Sequence, residues 1–578
     1  MTSPGISCIL RTVSHLRWSQ ILWRGRRALG RALGGGRAPE VPRKFTDAGP
    51  PVRGDVPAVP APVAPQAGDA QPVDLARRGE VEHLGERRTV GIENPDWGLG
   101  PVSQGRLWTA TLHYHEWAFA LAKAGAGDLF KLYVSDWISR CEPGHGGAAD
   151  LAWNPFVIAT RISWWSRSHA ALGREWWDAE PEFRKIFLTS LWRQAAYLER
   201  HIEWDLRGNH LMRDAVGLAW AGRFFEGDDA RGWLRTAAEI ASAQVDEQVL
   251  PDGGHFERSP MYHVQVMGDL LALALLLEDE PAAGKMRAAW GRMAEWLRWM
   301  QHPDGGIPLL NDSALNGACE PGAMLELGGQ IGATFAEPAP SGGRHFAESG
   351  TVAWRGDPWT VFFDAGPLGP DYQPGHGHAD TLAVECSWRG RRLFVDAGTC
   401  SYDEDDRRRY DRSTAAHNTV CVDGTDSSEM WKIFRVGRRA KPKRVEVDTG
   451  AGPLRASAAH DGYRHLRGRP EHSREVSIDS DGTLGIVDRV EGRRRHAIEG
   501  GLLLGPGWEV ADAAGGWEIS GDAGRVRVSI EGHEGLSLRR EDRACHPEFG
   551  LEVMRPRLVW RVEAELPVKI VTRITGER

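Results

Sequence analysis

Three short segments of this sequence combine residue types able to hold a carboxylate and move a proton. Gly208-Asn209-His210-Leu211 offers an amide beside an imidazole, Phe256 to His263 offers the phenol of Tyr262, and Gly375-His376-Gly377-His378-Ala379-Asp380 offers two imidazoles and a carboxylate. Adjacent helical residues point about 100° apart, so Asn209 and His210 meet one ligand only at a helix end, for which Gly208 is suited. Ser259-Pro260 reads as an N-cap and first-turn proline. Tyr262 then falls in the first helical turn, where the helix dipole favours a phenolate and eases proton exchange. Two histidines at i and i+2 share one side of a regular strand, so different tasks for His376 and His378 require a loop at Gly375 to Gly377. Each cluster alone has a plainer reading: a capping Asn beside a packed His, a structural tyrosine, histidines satisfied in a core. It is the grouping that favours chemistry.

Downstream, Asp396 in Val395-Asp396-Ala397-Gly398 and His417 in Ala416-His417-Asn418 add donors. Two imidazoles and a carboxylate suit a zinc ion. Leu382 to Trp388 and Arg391 to Asp396 read as a hairpin turning at Arg389-Gly390. In simple register Asp396 faces Ala383, leaving His378 roughly 17 Å away along an extended strand, so a bend or bulge is required.

Several segments must position these groups. Residues 1–48 contain Arg11, Arg17, Arg24, Arg26, Arg27, Arg31 and Arg37 with no acid before Glu40. Their apolar runs are two or three residues long, so neither a cleavable signal nor a membrane span is expected. An amphipathic helix lying on the protein is the plain reading; peripheral contact with an anionic membrane is the sharper one. Residues 49–92 form a Pro/Ala-rich linker and lead-in, with seven prolines between Pro50 and Pro72. Residues 93–335 show apolar residues at three- and four-residue spacing and breaks such as Asp252-Gly253-Gly254, the pattern of successive helical hairpins closing into a toroid or of a bundle. Residues 345–578 switch to short β-branched runs such as Trp359 to Asp364, Asn418 to Asp423, Arg474 to Ile478, Leu484 to Val490, Val526 to Ile530 and Arg557 to Val562. An antiparallel β-sandwich is the economical architecture for them.

The 578 residues are enough for two large cores, and 41% hydrophobic with 26% charged residues is a globular composition. A formal net charge of −8 argues against a general nucleic-acid binder. Seven scattered cysteines without a CxxC pair indicate neither a disulfide framework nor a thiolate metal site. Trp153, Trp164, Trp165, Trp176 and Trp177 cluster in the helical half, where stacking on sugar rings competes with packing between helices.

In order along the chain, Leu112-His113-Tyr114, Trp153-Asn154-Pro155 with Arg161, Gly208 to Leu211, Asp252 to His263, Gly375 to Asp380, Asp396-Ala397-Gly398 and His417-Asn418-Thr419 resemble the heparinase II/III family of polysaccharide lyases. The resemblance spans roughly residues 90 to 500 and is strongest from His376 to Gly424. It implies an α+β multidomain chain, an incomplete α/α toroid followed by an antiparallel β-sandwich. It assigns catalysis to Asn209, His210, Tyr262 and His376, and substrate binding to Trp153, Arg161, Glu257 and His263. His378, Asp396 and His417 are similar to the family's ligands for a structural zinc.

The activity so implied is β-elimination on a uronate-containing acidic polysaccharide, a glycosaminoglycan-like chain or a bacterial exopolysaccharide. The residue types suit it independently. The C5 hydrogen of a uronate is a poor acid until donors hold the neighbouring carboxylate and stabilise the enolate-like state. A base then takes the proton while an acid supplies one to the departing O4. The resemblance points to the cell envelope or periplasm; the lack of a visible cleavable signal keeps the cytoplasm open. Two other readings remain: a non-catalytic polysaccharide-binding or export accessory protein, and a zinc-dependent hydrolase.

Overall fold

A computed structural model describes the chain apart from residues 1–4, 33–38, 41, 43–44, 46–48, 55–57, 64–70, 99–104, 144–147, 336–339, 451–453 and 578. Its helical half runs from Arg106–Leu112 to Pro321–Leu327. Consecutive long helices pack on each other across short connections: Pro155–Ala179 on Pro181–Arg200, Gly208–Phe224 on Asp228–Gln248, and Pro260–Leu276 on Ala282–Trp299. These hairpins build an incomplete α/α toroid around one apolar core. Pro260–Leu276 is buried along nearly its whole length, which is why its sequence is apolar on every face. No helix among the described residues is long and apolar enough to cross a membrane.

The other half is antiparallel. A five-stranded meander runs Gly342–Phe346, Thr351–Arg355, Trp359–Asp364, Val384–Trp388 and Arg391–Phe394. A four-stranded sheet pairs Val420–Val422 with Arg495–Leu503, then Leu551–Glu565, then Ser537–Glu548, and an eight-stranded sheet completes the sandwich. In that last sheet Leu484–Glu491 alternates between buried and half-buried side chains, as a strand with one core face must. Trp359–Asp364 instead is buried throughout. Trp359, Val361 and Phe363 enter the sandwich core, while Phe362 joins Trp296, Trp299 and Leu310 at the toroid. The meander is thus the wall the two halves share.

The 382–396 hairpin turns at Arg389-Gly390, both at positive φ. Its register slips between Cys386 and Ser387, so Cys386 pairs with Phe394 and Ser387 with Arg392. This bulge moves Asp396 towards Val384. The bend that brings His378 to the Asp396–His417 pair is instead the non-strand segment 375–383 that precedes Val384–Trp388. The described part of the Pro-rich stretch is no free tether. Val59 is buried in the helical core, and the Pro60 carbonyl accepts from Arg167 Nη2 at 3.0 Å. The arginine-rich segment forms the helices Ile6–Ser14 and Trp18–Ala32, which lie over the junction of toroid and sandwich.

Candidate active site

A cleft of about 630 Å³ opens between toroid and sandwich, lined among others by Tyr114, Asn209, His210, Arg213, Tyr262, His376, Tyr402 and Phe434. The helix Gly208–Phe224 begins at its edge, where Arg207 and Gly208 both take positive φ. A Cβ on Gly208 would collide with Glu257 and Gln373, so only glycine lets the chain enter the helix here. Asn209 and His210 sit in the first turn and both line the cleft. The side chain of Ser259 caps the helix Pro260–Leu276 by accepting from Tyr262 N–H at 3.1 Å, and its hydroxyl reaches the Asp312 carbonyl at 2.6 Å. Residues 375–380 form no strand. Gly377 presses against Leu368, whose carbonyl oxygen would lie 2.6 Å from an added Cβ. The loop turns His376 into the cleft and His378 away from it.

The Tyr262 and His376 rings stack with centroids 3.7 Å apart and planes inclined by 6°. The Tyr262 hydroxyl lies 2.9 Å from that of Tyr402. Glu257, buried beneath them, receives the Asn209 backbone N–H on Oε1 at 3.1 Å and His376 Nδ1 on Oε2. One carboxylate therefore fixes a toroid residue and a sandwich residue together. Burial by itself raises the Glu257 carboxyl, but the His376 charge and hydrogen bond, with His255 and the Asn209 N–H, bring it down to about 2. An ionised Glu257 makes His376 Nδ1 the donor, leaving Nε2 as the ring's reactive nitrogen. His210 is held likewise, its Nδ1 2.8 Å from the buried Glu203. Burial opposes its protonation, and the Glu203 charge and hydrogen bond outweigh that and raise it. Asn209 Oδ1 is buried without a hydrogen-bond partner, a costly state unless a ligand takes it up.

Tyr262 corrects one expectation. The cap places it in the first turn, but burial and the Asp312 charge raise its hydroxyl well above the ordinary phenol value, against the smaller lowering by Tyr402. The dipole does not make a phenolate here; the group is a neutral proton donor.

Behind the cleft, His378 Nε2 meets Asp312 Oδ1 at 2.8 Å, and His417 Nδ1 meets Asp396 Oδ2 at 2.6 Å. The two rings lie 5.3 Å apart. His378 Nδ1, His417 Nε2 and Asp380 Oδ2 are all buried without a partner. Asp396 Oδ1, in contrast, accepts from Gly398 N–H. Among the described residues no three His, Cys, Asp or Glu side chains are already gathered as metal ligands. The chemistry of the unpaired atoms, two imidazole nitrogens and a carboxylate oxygen, nevertheless fits a divalent zinc ion.

Residues 90–320 match the Heparinase II/III N-terminus and residues 338–571 match Heparinase II/III-like, C-terminal. The chain belongs to the heparinase II/III family. A heparin-sulfate lyase of Bacteroides stercoris is 22% identical over 542 residues, covering 83% of this chain and 77% of that protein. That of Pedobacter heparinus is 25% identical over 516 residues, covering 80% and 73%. FtsZ-localized protein C of Caulobacter vibrioides is 24% identical over 433 residues, covering 71% and 70%. Among solved structures, heparinase III superposes with a TM-score of 0.71 at 19% identity over 85% of this chain and 80% of its own. The family membership makes this chain a polysaccharide lyase, an enzyme that breaks carbon–oxygen bonds.

Within this heparinase II/III chain, four residues expected at the substrate do other work. Trp153 is buried, donates to the Cys141 carbonyl and packs edge-on against Tyr197. Arg161 is fully buried, with its guanidinium shared among Gln194 Oε1, the His113 carbonyl and the Ala152 carbonyl, and lies 4.1 Å from the Trp137 ring. It ties helices together, and its full burial away from the cleft keeps it from a sugar. His263 is buried, with Nε2 on the Met293 carbonyl and its ring stacked on Trp296. It lies on the core side of the helix whose cleft side carries Tyr262. Glu257 positions His376 and Asn209 and does not line the cleft. Trp165 and Trp177 are core as well.

Conversely, Tyr402, Glu203 and Asp312 went unread. Tyr402 follows a bridge between Gly398 and His546, a pairing no local pattern announces. Asp312 holds His378 and a bidentate Arg408. Its only local signal is Asn311-Asp312-Ser313, three polar residues directly after an apolar run.

Proposed function

We propose that the cleft cleaves a uronate-containing acidic polysaccharide by β-elimination. The observation that carries this reading is the stack of a neutral Tyr262 on an imidazole whose Nδ1 is committed to Glu257, with Asn209, whose Nδ2 can donate to a carboxylate, on the same cleft wall. Asn209 and a protonated His210 hold the uronate carboxylate and so acidify C5. His376 Nε2 removes the C5 proton, and those electrons form the C4–C5 double bond as the C4–O4 bond breaks. The Tyr262 hydroxyl gives its proton to O4, with Tyr402 as the hydrogen-bond partner that steadies the oxygen left behind. Heparin sulfate, for which the lyase relatives are named, is the first polymer to try.

Purified protein mixed with a panel of uronate polymers is expected to generate absorbance near 232 nm from the unsaturated product. New reducing ends without that absorbance would replace elimination by hydrolysis. Binding with no product from any polymer would leave the accessory-protein reading.

A zinc ion held by His378, His417 and a neighbouring carboxylate of Asp396 or Asp380 belongs to the same proposal. When bound, it would supply a fixed positive charge that pins the loop carrying His376. Metal analysis of the purified chain is expected to find about one zinc per molecule, and its removal by chelator to lower the melting temperature. Ligand occupancy at about a hundredfold over Kd corresponds to about 2.7 kcal/mol. A metal-free chain that melts identically with and without added zinc would remove the ion from the account.

A further inference from the structure

The helices Ile6–Ser14 and Trp18–Ala32 are turned inside out. In the first, Ile6, Ile9, Leu10 and Val13 recur at i, i+3, i+4 and i+7, one helical stripe, yet they are 79%, 41%, 64% and 44% exposed. In the second, Trp18, Leu22 and Leu29 share a stripe at i, i+4 and i+11 and are 79%, 71% and 61% exposed. The polar faces hold the protein. Arg11 pairs with Glu429 at 2.7 Å, Thr12 donates to the Val436 carbonyl at 3.1 Å, and Arg27 pairs with Asp205 at 2.7 Å. Gln20 Nε2, itself buried, reaches both the Asp205 and the Tyr372 carbonyls. A helix on a globular surface normally buries its apolar stripe. Here the stripe faces out on two successive helices, whereas the other large exposed apolar side chains among the described residues are scattered along the chain.

The charge on this segment says what covers it. Residues 1–39 carry seven arginines and no acid, in a chain whose net charge is −8. Arg26, exposed, stands four residues from Leu22 at the edge of the stripe. Two copies meeting through this face would bring like charge against like charge. Arg11, Arg17 and Arg27 are paired with Glu429, Glu247 and Asp205 on the protein side, and Arg26 is exposed beside the stripe. A bilayer with anionic headgroups takes the apolar stripe into the interface, attracts Arg26 and gives Trp18 the boundary position that indoles favour. We propose that these two helices dock the protein flat on an anionic lipid surface. The second helix is fastened to the segments that lead into Asn209 and His376, through Gln20 on Asp205 and Tyr372. The docking face is thereby linked to the mouth of the cleft. The inference stands on exposure and charge and holds whatever the substrate proves to be.

The test is cosedimentation of the full chain with phosphatidylcholine vesicles, with and without phosphatidylglycerol. Binding is expected to rise at least about tenfold with the anionic lipid and to fall as salt is added. Trp18→Glu/Leu22→Glu, and separately Leu10→Glu on the other helix, are expected to lose it while keeping the wild-type melting temperature and activity. Two exposed sites on two helices guard against one variant misfolding. Equal binding to neutral vesicles, no binding at all, or variants that bind like wild type each overturn the proposal. A dimer in sedimentation that the same variants dissociate would assign the face to a second copy and overturn it equally.

Discussion

Tyr262→Phe is expected to lower kcat on a cleavable uronate polymer by about 10²–10⁴-fold, with KM and melting temperature close to wild type. The substitution removes one oxygen and keeps the ring, so the stack on His376 at 3.7 Å persists and His376 stays on Glu257. What disappears is the proton donor at the leaving O4. Expulsion of a sugar alkoxide without an acid is the step that then limits turnover, and substrate carboxylate binding by Asn209 and His210 is untouched. The split between kcat and KM is the informative part. The bond to Tyr402 is lost in either case, so the melting temperature does not discriminate; a purely structural tyrosine in this position would leave kcat of the folded variant near wild type or move kcat and KM together. Tyr402→Phe is the useful comparison. It leaves the Tyr262 hydroxyl in place and removes only its neighbour, so a much smaller loss of kcat is expected from it.

How much of this site could be read from the chain itself depends on how local the causes are. The Ser259 cap, the Gly208 helix entry and the Arg389-Gly390 turn are consequences of neighbouring residues, and the structure has all three. A bend or bulge between His378 and Asp396 followed from geometry alone, because they could not otherwise approach, and the structure supplies it as the non-strand segment before Val384. The loop separating His376 from His378 followed in the same way from strand periodicity. The misreadings have a common physical origin. Trp153, Arg161 and His263 are large polar or aromatic side chains beside functional ones, and only the tertiary structure tells which neighbour faces the cleft. Tyr262 and His263 are adjacent on one helix and point to opposite fates. The resemblance implies Glu257 at the substrate, whereas its depth under the cleft makes it a support. The helix dipole was the wrong guide to Tyr262 because burial acts on the same proton more strongly.

His376→Ala is expected to abolish turnover and also to destabilise the fold by about 3–5 kcal/mol, because it strands Glu257 as a buried, unpaired carboxylate. Glu257 keeps only the Asn209 N–H on its other oxygen. The pH dependence identifies the cause. In the wild type Glu257 is held at about 2 against an ordinary 4.5, so it contributes stability that is present above pH 4.5 and lost as pH falls towards 2. Without His376, burial acts unopposed by its main partner and lifts the carboxyl above its ordinary value. The sign then inverts: the variant should be more stable near about pH 5, where Glu257 is protonated, and lose stability as pH rises to about 8. Adding Glu257→Gln to His376→Ala replaces the stranded charge by an uncharged amide that still accepts from Asn209 N–H. The double variant should regain much of the lost stability at pH 8 and lose the inverted pH slope, while remaining inactive. A double variant that melts where His376→Ala melts at both pH values would remove the buried carboxylate as the cause and leave the lost stack on Tyr262 in its place. Recovery of stability without recovery of activity separates what Glu257 does for the fold from what His376 does to the substrate.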